Sequence, residues 1–232
     1  ALDPILGSMT PFGFSVEPCY RTPVLVDPGS DPMAWESRNP MIEPTFDIRT
    51  RIILLLCLLG FGVVVARNAW LSDDAYITFR TVDNVIHGYG LTWNVTERVQ
   101  AYTHPLWMLL MTGVTVFTRE VFFTAHGLCL LVSLLAAYVM TTQVAVSFPS
   151  ALWGITMLTL SKAFVDYSTS GLENPLTHLI LAGFLAVYLR AEDEIDSRTL
   201  LGLALLTALG MVNRIDTALL FLPALAYAVI RA

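Results

Sequence analysis

PLWMLLMTGVTVF, residues 105–117, is an apolar run of thirteen residues, and the fold turns on whether it crosses a membrane. A spanning helix needs roughly 20 apolar residues, whereas about 10–14 suit an interfacial or re-entrant helix. The run is closed by Thr118, Arg119 and Glu120. Charges elsewhere in the chain bear on the choice. Arg49 and Arg51 precede the apolar run Ile52–Ala66, and Arg190 and Arg198 flank the polar loop RAEDEIDSR. The positive-inside rule places both regions in the cytoplasm, and acids contribute little to that rule. If residues 105–117 crossed, helix parity would carry Arg190 outside. If they lie along the outer interface, every arginine agrees, and this is the reading adopted.

Composition supports a membrane setting. The 232 residues are 55% hydrophobic and 14% charged, with a mean hydropathy of +0.64. Soluble domains carry about 25% charged residues. The expectation is therefore an all-α polytopic integral membrane protein. The net charge of −6 owes much to a leading segment rich in Asp, Glu and Pro. Its prolines disfavour regular structure, so residues 1–47 are read as a flexible tail and residues 48–232 as the transmembrane domain. The tail lacks the basic start and apolar core of a signal peptide. Cys19, Cys57 and Cys129 show no paired spacing, so neither a disulfide framework nor a zinc site is expected.

The remaining apolar runs set the topology. Crossings are expected at Ile52–Ala66, Val121–Met140, Val144–Val165, Leu176–Leu189, Leu200–Val212 and Ala218–Ile230. Residues 71 to about 119 then form a long first outer loop. That arrangement brings Asp73, Asp74, His104, Glu173, Asn174, Arg214 and Asp216 to one membrane face, although their placement was no part of the parity argument.

The outer loop opens with SDDAYITFRTVDNVIHGYG, residues 72–90. Ser72 suits an N-cap, and acids in a first turn complement the helix dipole. Ala75, Phe79, Val82 and Ile86 share one apolar face, with Asp74, Thr78, Thr81 and Asp83 expected largely off it. Gly88 and Gly90 end the helix, which is read as lying in the interface plane. Capping needs one acid, so the pair Asp73–Asp74 points to a functional carboxylate, as ionisable groups at membrane depth often do. Glu173 and Asn174 in YSTSGLENPL open a later helix, and Arg214 in NRID stands between two apolar helices. Pairing with Asp216 is the plain structural reading of Arg214. Its guanidinium fork also suits a lipid-borne phosphate. His104 stands two residues after Tyr102 in the aromatic, polar part of the loop. His126 and His178 read as packed polar residues within helices. Asn94-Val95-Thr96 matches the short, common glycosylation sequon. No P-loop, dinucleotide fingerprint, HExxH or nucleophile elbow occurs.

SDDAYITFR, GYGLTWN, ERVQAYTHPLW, TSGLENPL and RID together resemble the polytopic GT-C membrane glycosyltransferases. The likeness is to the bacterial branch that contains the terminal arabinofuranosyltransferases, and it covers about residues 49–232. It implies a GT-C-like helix bundle with interfacial helices in the first outer loop, in a bacterial inner membrane, with the site on the periplasmic face. It implies transfer of a sugar such as arabinofuranose from a polyprenyl-phosphate donor to a cell-envelope glycan or protein acceptor. The resemblance carries the catalytic position over to Asp73 and Asp74; from the residues themselves, Arg214 and His104 are expected to bind donor phosphate, and Glu173, Asn174, Asp216 and Tyr102 to bind substrate. No metal ligand is assigned; a divalent cation is left open as cofactor, and no nucleic-acid partner is expected. AYTHP departs from the arabinosyl pattern, which leaves the sugar and acceptor open. Such enzymes have more helices, so the chain is expected to be the N-terminal part of a longer one. The rival reading is a transporter or flippase whose Asp74, Glu173 and Arg214 line a pathway at mid-membrane.

Overall fold

The computed structural model describes residues 46–97, 99, 102–191 and 195–232, and every regular element among them is helical. The expected tail falls almost wholly outside these residues, as do Glu192, Asp193 and Glu194 of the acidic loop. Asp47 accepts a hydrogen bond from Ile48 N and so starts α1 (Ile48–Arg67) a turn before the apolar run. Next come α2 (Asp73–Ile86), α3 (Pro105–Thr118) and α4 (Val121–Val139), the last continued by a π-helical turn, Met140–Val144. α5 (Phe148–Leu160), α6 (Lys162–Tyr167), α7 (Asn174–Arg190), α8 (Ser197–Asn213) and α9 (Ala218–Arg231) complete the order, with a 3₁₀ turn, Ile215–Thr217, before α9.

Among the described residues, Ile48–Arg67 and Val121–Val144 are long and apolar enough to cross a membrane. The many crossings expected from sequence are met by length in these helices alone. The expected crossing at 144–165 is divided instead. Ser147 and Ser150 form a capping box that starts α5, and Ser161 both ends α5 and accepts from Phe164 N to start α6. Lys162 and Asp166 pair along α6. A break at Ser161 gathers these charged groups in a separate short helix, whereas a continuous apolar span would have to bury them.

The deciding run forms α3, and α3 turns back. Arg119 takes a left-handed backbone (φ 57°), and Glu120 caps α4 by accepting from Phe122 N and Phe123 N. Val114 and Thr118 share a groove with Thr124, Gly127 and Leu128, as in an antiparallel helical hairpin. Trp107, near the start of α3, donates to Gly171 O, while Ser133, midway along α4, donates to Ser168 O. The chain thus leaves the 168–171 loop with α3 and returns to it with α4.

Helix α7 joins the two ends of the bundle. At about 1.5 Å per residue it carries the chain roughly 25 Å from Glu173 to Arg190. At its far end Arg190 donates to Gln143 at the close of α4, and both line a cleft with Arg51 of α1. Apolar packing forms a cluster around Trp107 between α2, α3 and α4, one around Phe61 between α1, α4 and α5, and one around Phe184 and Phe221 between α7, α8 and α9. Outside them α1 presents Ile52, Leu55, Leu56, Leu59 and Val63 as an exposed apolar stripe.

Candidate active site

The loop Ser168–Glu173 organises the near end. Its backbone carbonyls serve separate segments: Ser168 O accepts from Ser133, Ser170 O from Ser72 N, and Gly171 O from the Trp107 indole. Gly171 allows this because its φ is +79°, where a side chain is strained. An added Cβ there would also stand 2.8 Å from Ala75 Cβ and 2.9 Å from Leu71 Cδ2. Strain and overpacking together make Gly171→Ala destabilising by about 2–4 kcal/mol. Thermal unfolding in mild detergent checks this; an unchanged midpoint would contradict the packing.

With the loop fixed, Glu173 stands buried at the N-cap of α7, its side chain 6% exposed. Oε1 accepts from Arg214 Nη1 at 2.9 Å, and Oε2 lies 3.2 Å from His104 Nδ1. His104 Nε2 lies 2.7 Å from Thr78 Oγ1. With Nδ1–H donating to Glu173, Nε2 is left to accept from the Thr78 hydroxyl. Asn213, fully buried, donates to Glu173 O and to Thr177 Oγ1, which ties the end of α8 to the start of α7. Arg214 follows in extended conformation, and its Nε donates to Asp216 Oδ1 at 2.8 Å and Oδ2 at 2.9 Å.

Electrostatics give each group a state. Burial holds the His104 pKa below its usual 6.5; Glu173 opposes this and the Arg214 charge adds to it, so the imidazole is neutral at neutral pH. Partial burial works against the Arg214 charge, but the hydrogen bonds it donates to Asp216 and Glu173, and their charges, outweigh it and raise its pKa. Because the folded-state pKa of His104 is depressed, the stability contributed by its neutral, bonded form is complete above pH 6.5 and is lost as the pH falls through the lowered value. His104→Gln is therefore expected to cost about 1–2 kcal/mol at pH 7.5, with the gap to wild type narrowing on acidification. Chemical unfolding of both proteins across pH 5–8 measures it, and a gap that widens toward acid would contradict the assignment.

These groups line a cleft of ≈ 480 Å³ together with Asp74, Ile77, Leu172 and Ile215. Asp74 is exposed, and its carboxylate makes no hydrogen bond or ion pair with another described residue. Glu173 and Asp216 are both committed to cations. The cleft thus offers one uncommitted carboxylate, a guanidinium held between two acids, and a neutral imidazole.

Of the residues singled out from sequence, Asp74, His104, Glu173, Arg214 and Asp216 meet in the cleft. Asp73, Asn174 and Tyr102 do not line it; Asp73 is exposed in the first turn of α2, Asn174 opens α7, and Tyr102 packs against the Trp107 cluster. Ser72 occupies the N-cap position without a side-chain bond, its backbone N–H being engaged by Ser170. Thr78 and Thr81 are buried, contrary to the expected polar face, because α2 is covered on more than its apolar side. Thr78 and Asn213 are the contributors that the sequence reading missed. Thr78 lies four residues after Asp74, which puts both on one helical face, and Asn213 adjoins Arg214.

Two curated proteins are similar to the chain. Over 115 residues it is 33% identical to a terminal β-(1→2)-arabinofuranosyltransferase of Corynebacterium glutamicum, covering 45% of this chain and 16% of that protein. Over 178 residues it is 30% identical to the terminal β-(1→2)-arabinofuranosyltransferase of Mycobacterium tuberculosis, covering 69% of this chain and 28% of that one. The chain thus spans less than a third of the length of either relative. No family model matches it. No solved structure matches it.

Proposed function

We propose that the cleft is the catalytic centre of a GT-C-like membrane glycosyltransferase that uses a polyprenyl-phosphate sugar. The observation that carries this is the uncommitted Asp74 carboxylate in the same cleft as the Arg214 guanidinium. The similarity to arabinofuranosyltransferases makes arabinofuranose the sugar to test first. Asp74 accepts the proton of the acceptor hydroxyl as its oxygen bonds to the anomeric carbon. The bond from that carbon to the phosphate oxygen breaks, and polyprenyl phosphate leaves with the electron pair. Arg214 stabilises the charge that develops on the phosphate. Glu173, held by Asn213 and His104, keeps the guanidinium in place; Asp216, more exposed, is the partner that an arriving phosphate displaces.

The proposed setting is the outer face of a bacterial inner membrane, with a glycan or protein of the cell envelope as acceptor. The exposed apolar stripe of α1 supports contact with lipid. Arg51 and Arg190 share a cleft at the far end of α7, which supports placing both on the cytoplasmic side. The α3–α4 hairpin supports an α3 that turns back without crossing the membrane. The test is transfer of radiolabelled arabinose from a polyprenyl-phosphate arabinofuranose to an arabinan acceptor by the purified full-length protein. Labelled acceptor is expected; no transfer from this or other polyprenyl-phosphate sugars would overturn the proposal.

A further inference from the structure

The cleft at the far end of α7 differs in chemistry from the one at its start. It measures ≈ 430 Å³ and is lined by Arg51, Arg190 and Gln143 on its polar side and by Leu54, Leu55 and Leu58 of α1 on its apolar side. In the near cleft Arg214 is held between carboxylates. Here neither guanidinium has a carboxylate partner among the described residues: Arg51 Nε donates to the Phe46 carbonyl at 2.8 Å, and Arg190 donates to the Gln143 side-chain carbonyl. Asp47, the nearest acid in sequence to Arg51, is engaged in capping Ile48 N. A guanidinium has five N–H donors, so most of those on both arginines remain for a ligand. Neutral partners orient the two groups without cancelling their charge.

The π-helical turn Met140–Val144 contributes to this arrangement. Here the turn holds Thr142 and Gln143 on the cleft, and its last carbonyl bond, Ala145 N to Met140 O at 3.0 Å, closes the element. The apolar wall then continues out of the cleft: Leu55 on the wall is itself exposed, as are Leu56 and Leu59 beside it on α1. A ligand that fits has an anionic head for two arginines and a hydrocarbon tail for the α1 stripe.

We infer that this cleft binds the phosphate headgroup of an anionic phospholipid of the cytoplasmic leaflet, with an acyl chain along α1. Basic pockets between helices on that side suit such headgroups. The inference rests on the membrane placement proposed above and is independent of the transferase chemistry.

The experiment is lipid retention by the purified full-length protein, measured by native mass spectrometry after exchange from nanodiscs of phosphatidylglycerol, phosphatidylcholine or their mixture. One phosphatidylglycerol per chain is expected to be retained in preference to phosphatidylcholine. The Arg51→Gln/Arg190→Gln variant is expected to lose that preference by about tenfold or more, at roughly 1 kcal/mol per arginine near the surface. The Arg51→Lys/Arg190→Lys variant keeps both charges and is expected to retain the lipid, which separates lost binding from lost folding. Equal retention of the two lipids, or an unchanged preference in the Gln variant, would overturn the inference. So would release of the lipid by millimolar inorganic phosphate, which would mark a soluble-anion site. Loss of the preference in Arg214→Lys, with none in the Gln variant, would put the lipid in the near cleft instead. Sugar transfer is not read in any arm, so a failed transferase proposal leaves these outcomes interpretable.

Discussion

Asp74→Asn is expected to lower the rate of sugar transfer by about 10²- to 10⁴-fold, the usual cost of losing a general base. Asp73→Asn is expected to stay close to wild type. The two residues are adjacent, equal in charge and both in the first turn of α2, but only Asp74 lines the cleft. A helical step of about 100° separates their directions. Losing an acid from the first turn costs at most about 1 kcal/mol through the helix dipole, which should leave both variants folded. Initial rates on matched purified proteins make the comparison. If both asparagine variants transfer sugar at nearly the wild-type rate, the acids are structural and Asp74 has no part in the chemistry.

The second large effect is at Arg214. Arg214→Lys is expected to raise the KM for the lipid donor by roughly 10- to 100-fold with a smaller change in kcat, because an ammonium keeps the charge but cannot hold Glu173 and the phosphate through a planar fork. Lysine is a better test than alanine. Glu173 is 6% exposed, and removing its cation would leave a buried carboxylate with only His104 beside it, a change that destabilises the protein for reasons unrelated to donor binding. Asp216 makes the complementary case. Its side chain is 57% exposed and its bond to Arg214 competes with the phosphate, so Asp216→Asn is expected to lower the donor KM by about two- to fivefold, the scale of an exposed ion pair. An Asp216→Asn variant with a raised KM would show that Asp216 positions Arg214 and does not compete for it.

Much of this site could be read from residue order. Arginine parity and run length place Asp73, Asp74, His104, Glu173, Asn174, Arg214 and Asp216 toward one face, each close to the end of an apolar run, and of these Asp74, His104, Glu173, Arg214 and Asp216 line the cleft while Asp73 and Asn174 do not. Helix starts at Pro105, Val121, Asn174 and Ala218 follow from the same runs and their flanking polar residues. The inner structure of the cleft was harder to see. Which of two adjacent aspartates faces it depends on the rotation of α2, and that rotation is set by Ala75 and Phe79 packing against Gly171, a contact nearly a hundred residues away. Thr78 was placed off the buried side because periodicity identifies one apolar stripe and not the additional cover that the loop around His104 supplies. The break at Ser161 was missed because Ser161 and Lys162 are brief interruptions in an apolar run, and their effect on the helix depends on the hydroxyl capping Phe164 N. The far cleft was invisible in the sequence for a different reason. Arg51 and Arg190 served there as topological markers, and nothing in their spacing shows that the neutral carbonyls of Phe46 and Gln143 orient them.

The claim on which the rest depends is that the donor's phosphate and anomeric carbon sit in the cleft between α2, α7 and α8. The most direct test is a structure of the full-length protein in lipid nanodiscs with a non-cleavable phosphonate analogue of a polyprenyl-phosphate arabinofuranose. The phosphonate is expected on Arg214, with Asp216 turned away and Glu173 still in place, and the Asp74 carboxylate facing the anomeric carbon from the acceptor side. An analogue bound elsewhere, with Arg214 still held by both Asp216 and Glu173, would contradict it.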